Sequence, residues 1–208
     1  MRSKLPPVTL ARKVYPRPSN KELTSTLSLP NSIGFLIARN PYERLISAYR
    51  DKIVGAYRNS FHDRMSKDIV VKYRHISPRN YRHGETVPTF REFVSHVLDE
   101  FHLGHELDMH WTPVHSFCNP CQVNLTHIIM FETFDRDTLE ILEKAKLKHL
   151  LPTNGKLQNK NKSKGMNQNT TALTDKYLNE LTPNLLNGLL EIYGIDLDIF
   201  GYNRKEKF

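Results

Sequence analysis

An apolar run that leads directly into a helix start most constrains how this sequence can fold. Residues 33–38 read I-G-F-L-I-A and follow a Pro-Asn-Ser turn, which predicts a short buried strand. The chain then passes through Arg39 to Pro41, a residue that suits the first position of a helix. Apolar residues recur beyond it at helical spacing: Leu45, Ile46, Tyr49 and Ile53. We therefore predict a buried strand whose carboxyl end meets the start of an amphipathic helix.

Three more helices are predicted from capping residues and apolar periodicity. One begins after Thr89, with Glu92 completing a capping box, and is expected to bury Phe90, Phe93, Val94, Val97 and Phe101. Another is expected to be capped by Asp135, with its inward face formed by Leu139, Leu142 and Leu147. The last begins at Thr182-Pro183, with an apolar face formed by Leu185, Leu186, Leu189, Leu190 and Tyr193.

Residues 128–131 form a second strand pattern, and a helix follows this strand as one follows the first. Two successive strand–helix units predict an α/β domain in which helices flank a parallel sheet. We expect this sheet to be short of strands for its class. At 208 residues the chain suits a single domain.

The charge of the chain is unevenly distributed. The 30 Lys and Arg residues exceed the 22 Asp and Glu residues, which gives a net charge of +8. Residues 1–91 hold 18 basic and 6 acidic residues, whereas residues 92–150 hold 4 and 10. A basic excess favours anionic partners such as phosphates or acidic glycans. Binding to nucleic acid is not expected, because no module pattern is present and the basic residues interleave with the core face of a helix.

Arg39 and Ser47 are the candidate residues for an anion site. Arg39 falls where the first strand ends, and Ser47 lies in the second turn of the following helix. Ligands bind at the carboxyl edge of parallel sheets, where a helix start offers free N–H groups to a phosphate. The alternative is an ordinary amphipathic helix with solvated arginines, and spacing by itself leaves both interpretations open.

Six short segments in order along the chain carry a recognisable pattern. The first is R-N-P-Y-E-R-L-I-S-A-Y-R-D-K, from Arg39 onward. The other five are F-R-E-F-V at 90–94, H-W-T-P at 110–113, F-C-N-P-C at 117–121, F-E-T at 131–133 and I-D-L-D-I-F-G-Y at 195–202. Together they resemble the Golgi carbohydrate sulfotransferases, in the branch with the chondroitin and dermatan 4-O-sulfotransferases, and the first resembles the 3′-phosphate-binding motif of that family.

The resemblance implies a P-loop-type nucleotide-binding sulfotransferase fold over residues 33–208, preceded by an extension or remnant at 1–32. It also implies transfer of a sulfuryl group from 3′-phosphoadenosine 5′-phosphosulfate to a hydroxyl of an acidic, glycosaminoglycan-like glycan, with no metal. Arg39 and Ser47 would then hold the 3′-phosphate of the donor. A general base must take the proton of the acceptor hydroxyl, and His110 and Glu132 are its candidates. The alternatives are a structural histidine beside Trp111 and a glutamate that orients neighbouring groups.

The resemblance fails at the N-terminus. The family's loop around the 5′-phosphosulfate, which contains a lysine, has no counterpart in residues 1–32, and no signal anchor is present. We expect either an N-terminally incomplete chain or an inactive relative that binds acidic glycan or partners an active sulfotransferase. That loop would neutralise charge on the leaving phosphate, which is a large part of such catalysis.

The cysteines and sequons bear on the compartment of the protein. Cys118 and Cys121 are interpreted as a zinc pair, a redox pair or, in an oxidising lumen, a structural disulfide. Sequons at Asn124, Asn161 and Asn169 suggest glycosylation, although such triplets are frequent by chance. The sequence as given has no signal peptide and would stay in the cytosol. The resemblance instead implies the lumenal side of the Golgi membrane, with attachment only through an anchor that this chain lacks.

Overall fold

Helices surround one small sheet in the computed structural model, which describes residues 7–151 and 170–203. The α-helices are α1 (Pro7–Val14), α2 (Asn20–Leu27), α3 (Pro41–Ala48), α4 (Phe61–Arg74), α5 (Phe90–His102), α6 (Val114–Cys118), α7 (Phe134–Lys144), α8 (Thr170–Leu178) and α9 (Pro183–Ile199). The strands are β1 (Phe35–Ala38) and β2 (His127–Met130). Within the described residues, no helix is both long and apolar enough to cross a membrane.

The sheet consists of β1 and β2, which pair in parallel from Phe35 opposite His127 to Ala38 opposite Met130. This pairing confirms the predicted parallel α/β arrangement, and the sheet is as short of strands as expected over the described residues. The expectation that the first strand is buried is wrong: Phe35 and Ile37 are exposed, and Ala38 is the one buried residue of β1, because little of the described chain covers the Phe35 and Ile37 face of this two-stranded sheet. Both strands end at the same edge, because their directions agree. The residues that follow Ala38 and Met130 therefore lie side by side.

The predicted helix after β1 is confirmed as α3. Asn40 caps it, since its Oδ1 accepts hydrogen bonds from the backbone N–H groups of Tyr42 (3.0 Å) and Glu43 (3.3 Å). Its apolar face is buried as predicted, and the chain continues beyond α3 as a π-helical turn over Tyr49–Val54. Strand β1, the Asn40 cap and helix α3 thus fix the backbone conformation around Arg39.

The main core lies where α5 packs against α9. The capping box of α5 is confirmed, since Glu92 accepts from the Thr89 N–H and Thr89 Oγ1 accepts from the Glu92 N–H. Gly188 lets the two helices approach closely, because a Cβ there would lie 2.7 Å from both Leu98 methyl groups. The expectation that Phe101 is buried is wrong: Phe101 is exposed, and Leu98 occupies the core position instead.

The predicted start of α7 is wrong in its detail. No side chain caps this helix, which begins at Phe134. Asp137, rather than Asp135, accepts hydrogen bonds from the Met130 N–H at 3.2 Å and the Thr133 hydroxyl at 2.5 Å. Leu147 is exposed and lies beyond the helix, and the buried residue is Ile141. The Asp137 carboxylate, in the first turn of α7, thus accepts from the last residue of β2, and the expected cap by Asp135 does not form.

Sequence periodicity did not identify α1, α2, α4, α6 and α8. The buried positions of α4 include Asp63 and Ser66 beside Ile69 and Val70, so polar residues interrupt its inward face. The first two helices lie within residues 7–27, and α2 has no buried residue, so a buried apolar stripe does not mark it.

Candidate functional site

Arg39 lies at the carboxyl end of β1, directly before the cap of α3. Its guanidinium carbon lies 4.7 Å from the centre of the Phe131 ring, and Phe131 directly follows β2. Its Nε lies 3.5 Å from the Glu43 carboxylate, but this buried nitrogen makes no hydrogen bond to the described residues. Arg39 therefore has unused donor capacity at the positive end of a helix.

Glu132 joins three parts of the chain at the same sheet edge. Its Oε1 accepts a 3.3 Å hydrogen bond from the Asn40 N–H, and its Oε2 accepts a 2.9 Å hydrogen bond from the Tyr202 hydroxyl. Burial and this carboxylate raise the pKa of Tyr202, so the phenol stays protonated and donates. With both oxygens engaged, Glu132 fixes the β1–α3 turn. The choice between a base and the orienting role that the sequence left open as the alternative stays a prediction.

Ser47 is exposed on α3, with Glu43 one turn before it. Ser47 lies in the second turn of α3, whereas Arg39 lies outside the helix, directly before the Asn40 cap. The two predicted anion-binding residues therefore come from the same strand–helix unit.

An open cleft of about 340 Å³ lies over the turn that follows β2. Its lining runs from Phe131 to Arg136, and includes the carboxylates of Glu132 and Asp135. Phe131 forms one wall and contacts the Arg39 guanidinium. The cleft therefore adjoins the β1–α3 turn.

A second arginine connects α3 to the loop between α5 and α6. An Nη2 hydrogen of Arg44 is donated to the carbonyl of Thr112, and the buried Arg44 Nε has no hydrogen-bond partner among the described residues. The same loop is held from α9, since the Tyr193 hydroxyl donates to the Trp111 carbonyl at 2.5 Å. Trp111 is buried and packs edge-on against Phe93. These contacts fix the loop that contains His110.

Asp108 joins two imidazoles. His110 Nδ1 lies 2.6 Å from Asp108 Oδ1, and His62 Nε2 lies 3.0 Å from Asp108 Oδ2. The His110 backbone N–H also donates to Oδ1 at 2.8 Å. Although burial raises the pKa of Asp108, these hydrogen bonds outweigh it and lower the pKa, so the carboxylate stays ionised. Asp108 was not identified from the sequence. An aspartate two residues before His110 is nevertheless typical of a turn in which the carboxylate accepts a hydrogen bond from the backbone two residues on.

Asp196 has a structural role that the sequence analysis did not identify. It is fully buried on α9 and accepts hydrogen bonds from the Val114 N–H (2.6 Å), the His115 N–H (2.8 Å) and the His115 ring (2.8 Å). It therefore satisfies the start of α6, which continues the loop from His110. Asp196 belongs to the 195–202 segment, so one role of that segment is to hold the start of α6 against α9.

The remaining predicted sites lie away from this edge. Cys118 ends α6 and Cys121 lies in the next turn, and both are exposed free thiols in this structure. Partial loss of solvent around its sulfur raises the pKa of Cys118, so its thiol is protonated at neutral pH. Asn124 is exposed before β2, whereas Asn161 and Asn169 fall outside the described residues. The disulfide and glycosylation assignments stay predictions.

The amino-acid sequence matches a family model described as the sulfotransferase family over residues 7–203. Mouse carbohydrate sulfotransferase 11 is 30% identical over 179 residues, which cover 84% of this chain and 48% of that protein. Human carbohydrate sulfotransferase 9 is 30% identical over 169 residues, covering 80% and 37% respectively. Mouse carbohydrate sulfotransferase 14 is 36% identical over 115 residues, covering 55% and 29%.

The chain thus spans about half the length, or less, of these curated relatives. No solved structure matches it. The matched range extends through both strands and reaches Tyr202, so every described site residue above lies within it.

Proposed function

Because this chain belongs to the sulfotransferase family, we propose that it transfers the sulfuryl group of 3′-phosphoadenosine 5′-phosphosulfate to a hydroxyl of a glycan. One observation supports this most. Arg39, Glu132 and Tyr202 come from three distant segments and meet at the shared carboxyl edge of β1 and β2. This edge is where α/β folds bind nucleotides. The relatives named carbohydrate sulfotransferases suggest the acceptor class.

Arg39 and Ser47 are proposed to bind the 3′-phosphate of the donor. The Arg39 side chain is 23% exposed, and a guanidinium with access to solvent can donate to phosphate oxygens. The N-terminal end of α3 adds a positive dipole, and the exposed Ser47 hydroxyl adds a second donor from the same strand–helix unit. We propose that an uncharged part of the nucleotide lies in the adjoining cleft over 131–136, because the Glu132 and Asp135 carboxylates there would repel its phosphates.

His110 is proposed as the general base. In the transfer, the acceptor oxygen forms a bond to sulfur while the bond from sulfur to the 5′-phosphate oxygen breaks. The acceptor proton passes to His110 Nε2, and adenosine 3′,5′-bisphosphate leaves. Asp108 supports this role because it accepts from the Nδ1 side of the ring and stabilises the imidazolium that forms. Glu132 instead positions the β1–α3 turn, and no metal takes part in this step.

The charge of the chain is consistent with an acidic acceptor. The net +12 of residues 1–91 favours an acidic glycosaminoglycan-like chain over a neutral glycan. We propose that the protein works on the lumenal side of the Golgi membrane, where such glycans are sulfated. The sequons and the cysteine pair are compatible with that compartment.

Transfer by the purified chain tests the reaction. The chain is incubated with radiolabelled 3′-phosphoadenosine 5′-phosphosulfate and desulfated chondroitin, and label on the polysaccharide is counted. We expect incorporation that falls at least about a hundredfold in His110→Ala, as for loss of a general base. Absence of label together with retained chondroitin binding would instead support a non-catalytic glycan-binding relative.

Binding of adenosine 3′,5′-bisphosphate, measured by calorimetry, tests the donor site separately. Arg39→Ala should weaken the affinity about tenfold or more, and Ser47→Ala by a smaller factor, because a charged donor contributes more than a neutral hydroxyl. Arg58→Ala is the matched control, since Arg58 is an exposed arginine away from the sheet edge. Equal affinities for wild type and Arg39→Ala would refute the phosphate role.

A further inference from the structure

We propose that His62, Asp108 and His110 form a binding site for a divalent transition-metal ion of the zinc type. One ligand atom from each residue lies within 4.8 Å of the other two. Two imidazoles and one carboxylate are a ligand set that binds Zn²⁺ and leaves a coordination position open to water. The inference concerns ligand binding and does not depend on the proposed transfer reaction.

The convergence of two imidazoles on one carboxylate distinguishes this cluster from the other histidine–carboxylate contacts. His83 with Asp63, His102 with Glu191, His105 with Glu100 and His115 with Asp196 each pair one ring with one carboxylate. Among the described residues, Asp108 alone lies within hydrogen-bond reach of two rings. This cluster offers an ion three protein ligands, whereas each histidine–carboxylate pair offers only two.

The three ligands are held by separate parts of the fold. His62 lies in the first turn of α4, where Ser60 caps the helix. Asp108 is fixed by the backbone N–H of His110, and its carbonyl accepts from the N–H groups of Trp111 and Thr112. The His62 and His110 rings meet edge to face, 5.5 Å apart. The ligand set is therefore largely pre-organised before any ion arrives.

Only a small movement would fit an ion between the ligands. Ligand atoms around tetrahedral zinc are about 3.4 Å apart, given metal–ligand bonds of about 2.0–2.1 Å. The Asp108 oxygens lie 2.6 Å and 3.0 Å from the facing ring nitrogens, so each contact would open by less than about 1 Å. The side chains of His62, Asp108 and His110 are 18%, 14% and 35% exposed, which gives an ion access from solvent.

Binding changes where the ring protons lie. His62 Nε2 and His110 Nδ1 would bind the metal through their lone pairs, so each neutral ring carries its single proton on the opposite nitrogen. His110 Nε2 is then an N–H and cannot accept a proton. The ion-bound form is therefore distinct from the form proposed above to transfer sulfate. Imidazole with carboxylate favours Zn²⁺, Co²⁺ or Ni²⁺ over Mg²⁺ or Ca²⁺.

Cobalt titration tests the site in the full chain carrying Cys118→Ser and Cys121→Ser, which removes the competing thiolate ligands. We expect visible Co²⁺ absorption that saturates at one equivalent and is reversed by excess Zn²⁺. Asp108→Asn and His62→Ala should each weaken binding at least about tenfold. His105→Ala, which removes an exposed imidazole beside Glu100, is the control and should bind as tightly as the parent.

Two further measurements keep the result interpretable. Thermal unfolding without metal establishes that each variant is folded, and added Zn²⁺ should raise the melting temperature of the parent and of His105→Ala by more than that of Asp108→Asn or His62→Ala. Long-range ¹H–¹⁵N spectra should show the proton moving to Nε2 of His110 and to Nδ1 of His62. Unsaturable cobalt absorption, or equal losses in His105→Ala and His62→Ala, would overturn the proposal.

Discussion

The Tyr202 hydroxyl donates a 2.9 Å hydrogen bond to Oε2 of Glu132, a residue 70 positions earlier in the chain. The other oxygen of Glu132 accepts from the N–H of Asn40. This one carboxylate therefore connects the segment after α9, the turn after β2 and the cap of α3. The geometry of the proposed donor site depends on this connection, because Arg39 directly precedes Asn40.

Tyr202→Phe should weaken donor binding without removing a group that touches the donor. Loss of the hydrogen bond should lower the free energy of unfolding by about 1 kcal/mol and lower the affinity for adenosine 3′,5′-bisphosphate several-fold. A double-mutant cycle with Glu132→Gln, measured by urea denaturation and calorimetry, checks this. Strictly additive effects of the two substitutions would show that the pair is not coupled.

Asp196→Asn should destabilise the protein strongly. The buried Asp196 carboxylate accepts three hydrogen bonds at the start of α6, through both of its oxygens. The asparagine side chain would place its NH₂ group against one of the N–H donors, where neither group can accept. We expect a loss of about 3 kcal/mol in the free energy of unfolding, measured by urea denaturation. Asp68→Asn, at an exposed position of α4, is the matched control and should change stability little. Similar losses in both variants would contradict the capping role.

Stability should fall as the pH drops below the ordinary histidine range. Burial lowers the pKa of His96 below 6.5, so the unfolded chain binds this proton more readily than the folded one. The contribution of His96 is thus fully present above pH 6.5 and is lost as the pH falls towards the lowered folded value. His96→Gln should flatten this part of a stability–pH curve measured by urea denaturation. A matching change in His105→Gln, an exposed site, would exclude the burial explanation.

Cys118 and Cys121 should form an intramolecular disulfide in an oxidising glutathione buffer. Both thiols are exposed, and the left-handed Asn119 between them permits a tight turn. The product should lose two hydrogens by mass spectrometry, and both thiols should become unreactive together. A loop this short should add only about 2 kcal/mol to the free energy of unfolding. Persistence of two reactive thiols, or covalent dimers, would contradict the pairing.

The sequence by itself determined the elements whose causes are local. The strand before Arg39, the Pro41 helix start, and the caps at Thr89 and Thr182 depend on neighbouring residues, and the structure confirms each of them, although the strand is exposed rather than buried. Helix α4 was missed because Asp63 and Ser66 interrupt its buried face, where they have hydrogen-bond partners. Local patterns do not reveal such partners.

Only the tertiary structure decided which residues meet. Asn40 and Glu132 are 92 positions apart, and His62 and Asp108 are 46 apart. Contacts between such distant positions depend on the path of the whole chain, here the parallel pairing of β1 with β2 and the packing of α4 beside the loop before α6. The sequence indicated His110 and Glu132 as candidate bases, and both roles stay predictions. The structure adds their partners: Asp108 lies against His110 Nδ1, whereas Asn40 and Tyr202 donate to the two oxygens of Glu132.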